Sequence, residues 1–322
     1  MFKYSVIIPV YNAENFVEKA VDSALYHSTV KEVLLVEDGS TDESLLVCEK
    51  LASSNERVKL FRHADGQNKG AGASRNLGLE NSSCEFICFL DADDYYLPNR
   101  FAKEKEIFSL YPEADGVYGA LDSASTGEKN RLLSMVSNTS DPNESIFTTT
   151  SKRVPPEKLF EHLIHFRRFG EGYFSIVTLT IRAESIRKTN ISFNEELRLH
   201  QDTDFIWKLA YCLKLYPGEL ERAIALRGVH PDNRFLNNKN IDQSRRLLYE
   251  SAYNWAEKGK IESNYRSHFR HYYFVHDIRQ EGYKKTLLDV ILINNWSLIK
   301  NSICYVLFRF PHFMNIINSK RK

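Results

Sequence analysis

Three groups of side chains in the first hundred residues have the types and spacing to do chemistry together. The sharpest is Leu90-Asp91-Ala92-Asp93-Asp94, which closes an apolar run beginning at Phe86. Two carboxylates two residues apart can reach one hard cation and the ribose or phosphate oxygens beside it. Mg2+ or Mn2+ is usually held by one or two carboxylates, with phosphates and waters completing the shell. A bare Asp-x-Asp is common as a solvated acidic turn, and its place at the end of an apolar run sets this one apart. The second group is Val36-Glu37-Asp38-Gly39-Ser40-Thr41-Asp42. Asp38 sits where such a run enters a turn, and a carboxylate there can accept the ring N–H of a uracil. Ser40, Thr41 and Asp42 suit the turn and the cap of a following helix. The third group is Asn68-Lys69-Gly70-Ala71-Gly72-Ala73-Ser74-Arg75-Asn76-Leu77-Gly78. Its glycines allow close backbone approach, a helix N-terminus favours an anion, and Arg75 adds a fixed positive charge. It lacks the spacing of a dinucleotide loop and the ending of a P-loop.

These groups need a scaffold that delivers them to one place. Short β-branched runs at Tyr4 to Val10, Val33 to Val36, Val58 to Phe61 and Phe86 to Leu90 alternate with segments of helical spacing. Those segments are Ala13 to Tyr26, a helix capped by Thr41 that carries Leu45, Leu46, Cys48 and Leu51, and the run entered at Gly70. The alternation predicts an α/β fold with a parallel sheet and helices on both faces. In such sheets ligands bind in the crevice beyond the carboxyl ends of the strands. Tyr11 and Asn12, Asp38 and Gly39, and Asp91, Asp93 and Asp94 all fall there. Further on, the pattern predicts a helix from Pro98 to Leu110, a strand over Asp115 to Leu121, and a long polar loop from Asp122 to Lys152. A helix after Pro156, a strand over Phe174 to Ile181 and a helix over Asp202 to Leu213 follow.

Taken in order, SVIIPVYNAE, VEDGSTD, GAGASRNLGL and FLDADD resemble the nucleotide-binding half of glycosyltransferase family 2, an inverting, nucleotide-sugar-dependent family with the GT-A fold. The resemblance implies that Pro9, Tyr11 and Asn12 line the nucleoside pocket and that Asp38 binds the base. It implies Arg75 on base or phosphate, Asp91 at the ribose and Asp93 on the metal, Mn2+ or Mg2+. Glu37 stands where the family more often has Asp, and takes no role. A weaker likeness covers His200-Gln201-Asp202-Thr203-Asp204, where relatives often carry Glu-Asp. It makes Asp202 the catalytic base, with Asp204 the alternative; a helix cap is the plain structural reading of Asp202. His230, after the apolar run Ala223 to Leu226, matches a histidine that some members place near the metal and diphosphate, though a lone histidine is as readily structural.

The implied reaction moves a sugar from a nucleotide diphosphate, a UDP-sugar for preference, to an acceptor hydroxyl on a glycan or lipid-linked glycan, in surface polysaccharide or glycan synthesis. A catalytically silent nucleotide-sugar binder is the alternative that Gln201 keeps open. A nucleotidyltransferase would want a basic, glycine-rich loop after the first strand, where Pro-Val-Tyr-Asn stands instead. Composition fits this reading. The 322 residues carry 43 Lys and Arg against 42 Asp and Glu, which gives no reason to expect nucleic acid as partner. The five cysteines are scattered without a CxxC pair, so a reducing, cytoplasmic setting is expected. Neither a signal peptide nor a stretch of about 20 apolar residues is legible. The expected organisation is a GT-A domain over residues 1–238 and a helical region over 239–322. Leu287 to Phe313 is rich in apolar and aromatic residues yet broken by Asn294, Asn295, Lys300 and Arg309. Two readings of it stay open: a cap on the catalytic domain, or an amphipathic segment lying peripherally on the inner membrane face.

Overall fold

The computed structural model of the chain describes residues 2–123, 153–164, 173–228 and 241–281. The long polar loop beyond Ser123, His230 and the segment from Leu287 to Phe313 lie outside these described residues. The chain divides into two compact units, Met1–Asn237 and Asn238–Lys322.

The first unit is organised by its most apolar runs. Strands β1 (Tyr4–Val10), β2 (Val30–Glu37), β3 (Val58–Arg62) and β4 (Phe86–Phe89) pair in parallel, in the order β3-β2-β1-β4. Ile7, Ile8, Val33 to Val36 and Phe89 are fully buried, as expected where helices cover both faces of a parallel sheet. Helices α1 (Val17–Leu25), α2 (Ser44–Ser54) and α3 (Ala71–Asn81) make the crossovers, and α4 (Glu104–Leu110) follows β4. Because these four strands run the same way, the segments after Val10, Glu37, Arg62 and Phe89 leave from one edge.

Beyond β4 the sheet turns mixed. β6 (Gly116–Tyr118), β8 (Thr180–Arg182) and β9 (Leu215–Pro217) complete seven strands in the order β3-β2-β1-β4-β8-β6-β9, with β8 antiparallel to both neighbours. A small second sheet joins β5 (Tyr95–Tyr96), β10 (Ala223–Arg227) and β7 (Ala120–Ser123). Helices α5 (Pro156–Ile164), α6 (Ala183–Thr189) and α7 (Gln201–Cys212) complete the described part of this unit. Under the sheet, Arg100 and Glu104 form a fully buried ion pair at 2.6 Å, and Arg100 also donates to the carbonyls of Val177 and Leu179.

Local chemistry changed several expected elements. The run Asp115 to Leu121 is two strands in two sheets, parted at Gly119. Phe174 to Ile181 is not one strand. Ser175 accepts the Val177 N–H on its hydroxyl and the Thr178 hydroxyl on its carbonyl, which winds Ile176–Thr178 into a 3-10 turn ahead of β8. Thr41 does not cap α2; its N–H and hydroxyl both reach Asn12 Oδ1, and Asp42 accepts the Ser44 N–H instead. Leu46 on α2 is 61% exposed, so the buried stripe is Ser44 and Cys48 rather than the leucines.

In the second unit α8 (Ile241–Lys258) and α9 (Ser263–Glu281) pack against each other. Tyr249 stacks on Tyr272 with ring centres 5.1 Å apart, and Arg246 pairs with Asp277 at 2.6 Å. No helix among the described residues is long and apolar enough to cross a membrane.

Candidate active site

The site is assembled at the carboxyl edge of β1, β2 and β4. After β1, Asn12 adopts a left-handed φ of 49°. Its N–H donates to Ser40 Oγ at 3.1 Å, and its side-chain carbonyl accepts the Thr41 N–H at 2.9 Å. Ala13 donates to Ser44 Oγ, Glu14 to Asp42, and Glu43 to the Glu14 carboxylate. These reciprocal bonds lock the two strand-end segments together, so Asn12 braces the site as well as lining it.

Asp38, 2% exposed, turns the β2 end toward α3. Its Oδ1 accepts the Lys69 N–H at 2.7 Å and its Oδ2 the Gly70 N–H at 2.9 Å, with His63 Nε2 at 3.4 Å. The neighbouring Glu37 points away. It accepts the Ser40 N–H at 2.5 Å and pairs with Arg62 at 2.8 Å. Burial works to raise its pKa, but the Ser40 donors and Arg62 outweigh burial and hold it low. The extra methylene of Glu37 therefore serves the turn, not the cavity. Gly39 is required at this turn: φ is +68°, and a Cβ would stand 2.8 Å from the Asn68 nitrogen.

α3 carries Arg75 into the same space. The guanidinium is 3% exposed, pairs with Asp91 Oδ1 at 2.5 Å, and lies 5.5 Å from the centre of the Phe193 ring. Its Nε and Nη1 are buried without a hydrogen-bond partner. Asn76, one residue on, donates to the Phe193 carbonyl and Glu195 and accepts the Phe193 N–H. That clasp ties α3 to the segment leading into α7.

Past β4, Asp91, Asp93 and Asp94 bring one oxygen each to within 4.8 Å of one another. Asp94 is 3% exposed and accepts the Gly228 N–H at 3.0 Å. Burial first, then the charges of Asp91 and Asp93, push its pKa well up. Gly228 packs so closely that a Cβ would come within 1.9 Å of the Asp93 carbonyl oxygen. The end of β10 thus rests on the acidic turn. Hard oxygen donors gathered this closely, with like charges in mutual repulsion, suit Mg2+ or Mn2+.

A cavity of about 390 Å³ unites these groups. Pro9, Tyr11 and Asn12 line it from β1, Asp38 from β2, Arg75 from α3, and Asp91 and Asp93 from β4. Gln201, at the start of α7, lines it too; sequence reasoning gave that residue no role, although its place beside Asp202 was a usable signal. Phe16, within the segment of helical spacing from Ala13 to Tyr26, also lines it. Asp202 is not among the lining residues. It sits in the first turn of α7, where its Oδ1 accepts the Thr203 N–H at 2.8 Å and its Oδ2 faces the Tyr173 hydroxyl at 3.3 Å. The residue preceding that helix is His200, so Asp202 is not its N-cap. Asp204 is fully buried and pairs with Lys208 at 2.5 Å, which removes it from any surface where an acceptor could bind.

The model of the family described as Glycosyl transferase family 2 matches residues 5–174. A glycosyltransferase of Haemophilus influenzae is 39% identical over 31% of this chain and 40% of its own length. EpsJ of Bacillus subtilis, a glycosyltransferase, is 27% identical over 62% of this chain and 54% of its own. Chondroitin synthase of Pasteurella multocida is 28% identical over 81% of this chain and 25% of its own. The chain thus spans well under two thirds of the length of these curated relatives. Among solved structures, S. aureus TarS in complex with UDP-GlcNAc superposes with a TM-score of 0.57 at 19% identity, covering 86% of this chain and 72% of TarS. The mannosyltransferase PcManGT from Pyrobaculum calidifontis, in complex with GDP-Man and Mn2+, gives 0.53 at 12% identity, covering 97% and 82%. These likenesses show the fold, a GT-A arrangement with a mainly parallel central sheet. With the family model covering more than half of the chain, the protein belongs to glycosyl transferase family 2.

Proposed function

We propose that the chain is an inverting, divalent-metal-dependent transferase that takes a sugar from a UDP-linked donor and places it on an acceptor hydroxyl of a glycan or lipid-linked glycan. The observation that carries this reading is Arg75: a buried guanidinium with two unpartnered nitrogens, lining a cavity otherwise rich in carboxylates. Buried donors of that kind call for oxygen acceptors on a ligand, and a uracil carbonyl or a phosphate supplies them. Uridine is preferred because TarS, which shares the fold, binds UDP-GlcNAc.

In this reading Pro9, Tyr11 and Asn12 border the nucleoside. Asp38 keeps lone pairs free beyond its two backbone bonds and accepts the base N–H. Asp91 meets the ribose. Asp93, with Asp91 and Asp94 beside it, would hold Mn2+ or Mg2+, and His230, two residues after Gly228 in the sequence, is a further candidate ligand. A divalent ion held there would supply positive charge to offset the negative charge building on a departing diphosphate. Asp202 takes the acceptor hydroxyl proton as that oxygen bonds to C1 of the sugar; the C1–O bond to the diphosphate breaks, its electron pair leaves with UDP, and the anomeric configuration inverts. Gln201 and Asp202 are successive residues on α7 and so point about 100° apart around the helix. One faces the nucleotide cavity, leaving the other for the acceptor side, as an in-line displacement requires. The helices after residue 238 form a separate C-terminal region in this scheme, a cap or a peripheral membrane contact. A thermal-shift panel of UDP-, GDP-, CDP- and dTDP-sugars, each with Mn2+, with Mg2+ and with EDTA, tests the proposal. Metal-dependent stabilisation by UDP-sugars is expected; a preference for another base, or no metal dependence, would overturn the donor or the metal assignment.

A further inference from the structure

One ordered tyrosine next to the proposed base has no part in the scheme above. Tyr173 stands just ahead of the 3-10 turn at Ile176–Thr178, 29 residues before Asp202. Its hydroxyl is 3.3 Å from Asp202 Oδ2 and 3.2 Å from Thr203 Oγ1. The other carboxylate oxygen, Oδ1, is taken by the Thr203 N–H at 2.8 Å. Among the described residues, Tyr173 is the only hydrogen-bond partner of Asp202 from outside its own helix.

The chemistry of the three groups fixes the direction of these bonds. Burial first, then the negative charge of Asp202, push the Tyr173 phenol pKa far above its ordinary value, against weaker pulls from the Thr203 hydrogen bond and the charge of Arg227. The phenol therefore keeps its single proton. An ionised carboxylate can only accept, so that proton goes to Asp202 Oδ2 and the Thr203 hydroxyl donates in turn to the phenol oxygen. Asp202 is then gripped on both oxygens, from its own helix turn and from a separate segment. Without the phenol, the half-buried Asp202 carboxylate would be held on one oxygen only, by Thr203 of its own helix turn.

We propose that Tyr173 is the positioning residue of the base, its hydroxyl fixing the plane of the Asp202 carboxylate so that it can take the acceptor hydroxyl proton as that oxygen attacks C1 of the sugar. The inference rests on Asp202 being the base. Small errors in the aim of a catalytic group cost rate much more than binding. Loss of the hydroxyl should therefore show in kcat and not in donor affinity.

The experiment measures UDP release and transfer for wild type, Tyr173→Phe, Thr203→Val and Asp202→Asn, using whichever donor from a panel of UDP-hexoses, UDP-N-acetylhexosamines and UDP-hexuronates the wild type consumes fastest. UDP affinity in Mn2+ is measured for each by calorimetry. The expected result for Tyr173→Phe is a kcat lowered about tenfold, with donor KM and the UDP Kd within twofold of wild type. Thr203→Val leaves the phenolic proton on Asp202 and should keep kcat within about threefold. An unchanged kcat in Tyr173→Phe, or a fall in kcat matched by weaker UDP binding, would overturn the positioning role. So would a loss in Thr203→Val as large as that in Tyr173→Phe. Asp202→Asn separates the two levels: full turnover in that variant removes the base itself, whereas an inactive Asp202→Asn beside an unaffected Tyr173→Phe removes the tyrosine alone.

Discussion

Arg75 on α3 and Asp91 beyond β4 are joined by a 2.5 Å ion pair that leaves the arginine only partly satisfied. The Asp91 side chain is 37% exposed and can exchange its partner for water; the Arg75 side chain is 4% exposed and cannot. Its Nε and Nη1 remain buried and unpartnered. Each buried donor left without an acceptor costs about 1–3 kcal/mol. The free protein thus carries a cost that a nucleotide bound as proposed would relieve.

This gives the first prediction. Arg75→Met should weaken UDP binding in Mn2+ by at least about tenfold, the loss of one charge-assisted contact or more. The melting temperature of the ligand-free protein should stay level or rise, because the unsatisfied donors are gone and Asp91 is solvated. Calorimetric titration with UDP and a thermal melt of the free protein check the two halves. A large drop in melting temperature with UDP affinity intact would mean that Arg75 is a structural ion-pair residue.

Asp93 gives the second. Asp94 is sealed beneath the acidic turn and engaged by Gly228, and Asp91 is engaged by Arg75. Asp93 lines the cavity and Asp94 does not, so in the proposed scheme Asp93 is the carboxylate that takes a cation there. Asp93→Asn should abolish the gain in UDP affinity that Mn2+ confers, while metal-free UDP binding is kept or slightly strengthened by the lost negative charge. Parallel titrations with Mn2+ and with EDTA read both. Undiminished metal enhancement in the variant would move the ligand role elsewhere in the turn.

Much of this site was legible before any coordinates because its information is local. A parallel strand buried on both faces reads as a continuous apolar run, so β1, β2 and β4 announced themselves. The residues just past them, Asp38, Asp91 and Asp93, follow from strand direction alone. What could not be read depends on groups distant in sequence. That Asn12 would clasp Thr41, or Asn76 the backbone of Phe193, 117 residues away, is invisible to periodicity. Glu37 took no role in the sequence reading, and its actual task, holding the Ser40 N–H and Arg62, depends in part on a residue 25 positions away. The strand expected over Phe174 to Ile181 failed because Ser175 offered the backbone a turn, and the aromatic residue before it and the β-branched residues after it gave no warning of it. Gln201 went unassigned because only the α3–α7 clasp brings it over the cavity.

The third prediction concerns pH and the frame of the site. Glu32 on β2 is 3% exposed at its side chain and is bonded by Ser5, Lys59 and Ser83. Burial raises its pKa, and the bonds to Lys59, Ser5 and Ser83 more than reverse this, bringing it down to about 2. A carboxylate with a folded pKa below its unfolded one stabilises the fold above the unfolded value, and the stabilisation fades as pH falls through the folded value. Glu32→Gln should therefore lose about 3 kcal/mol at neutral pH. The gap to wild type should narrow between about pH 4.5 and pH 2, as the wild type gives up the same charge. Denaturant melts at pH 7, 4 and 2.5 check it; a gap independent of pH would show that the packing of Glu32, and not its charge, is what matters.

The last prediction separates fold from metal chemistry at Gly228. This residue follows directly on β10, donates its N–H to Asp94, and lies where any Cβ would collide with the Asp93 backbone oxygen at 1.9 Å. The obstacle is backbone and not the tip of a flexible side chain, so the strand end or the acidic turn must move. Gly228→Ala should shift Asp93 and Asp94 apart from Asp91 while leaving β1, β2 and the Arg75 pocket in place. Metal-free UDP binding should then persist within a few-fold, whereas the Mn2+ enhancement and sugar transfer should fall by about a hundredfold, the loss expected when a catalytic constellation is displaced by an ångström. Buried Asp94 also loses its backbone donor, so the melting temperature should drop by several degrees. Calorimetry with and without Mn2+, together with a thermal melt, reads all three. If Gly228→Ala kept its metal enhancement and its melting temperature, the contact between β10 and the acidic turn would be incidental to the site.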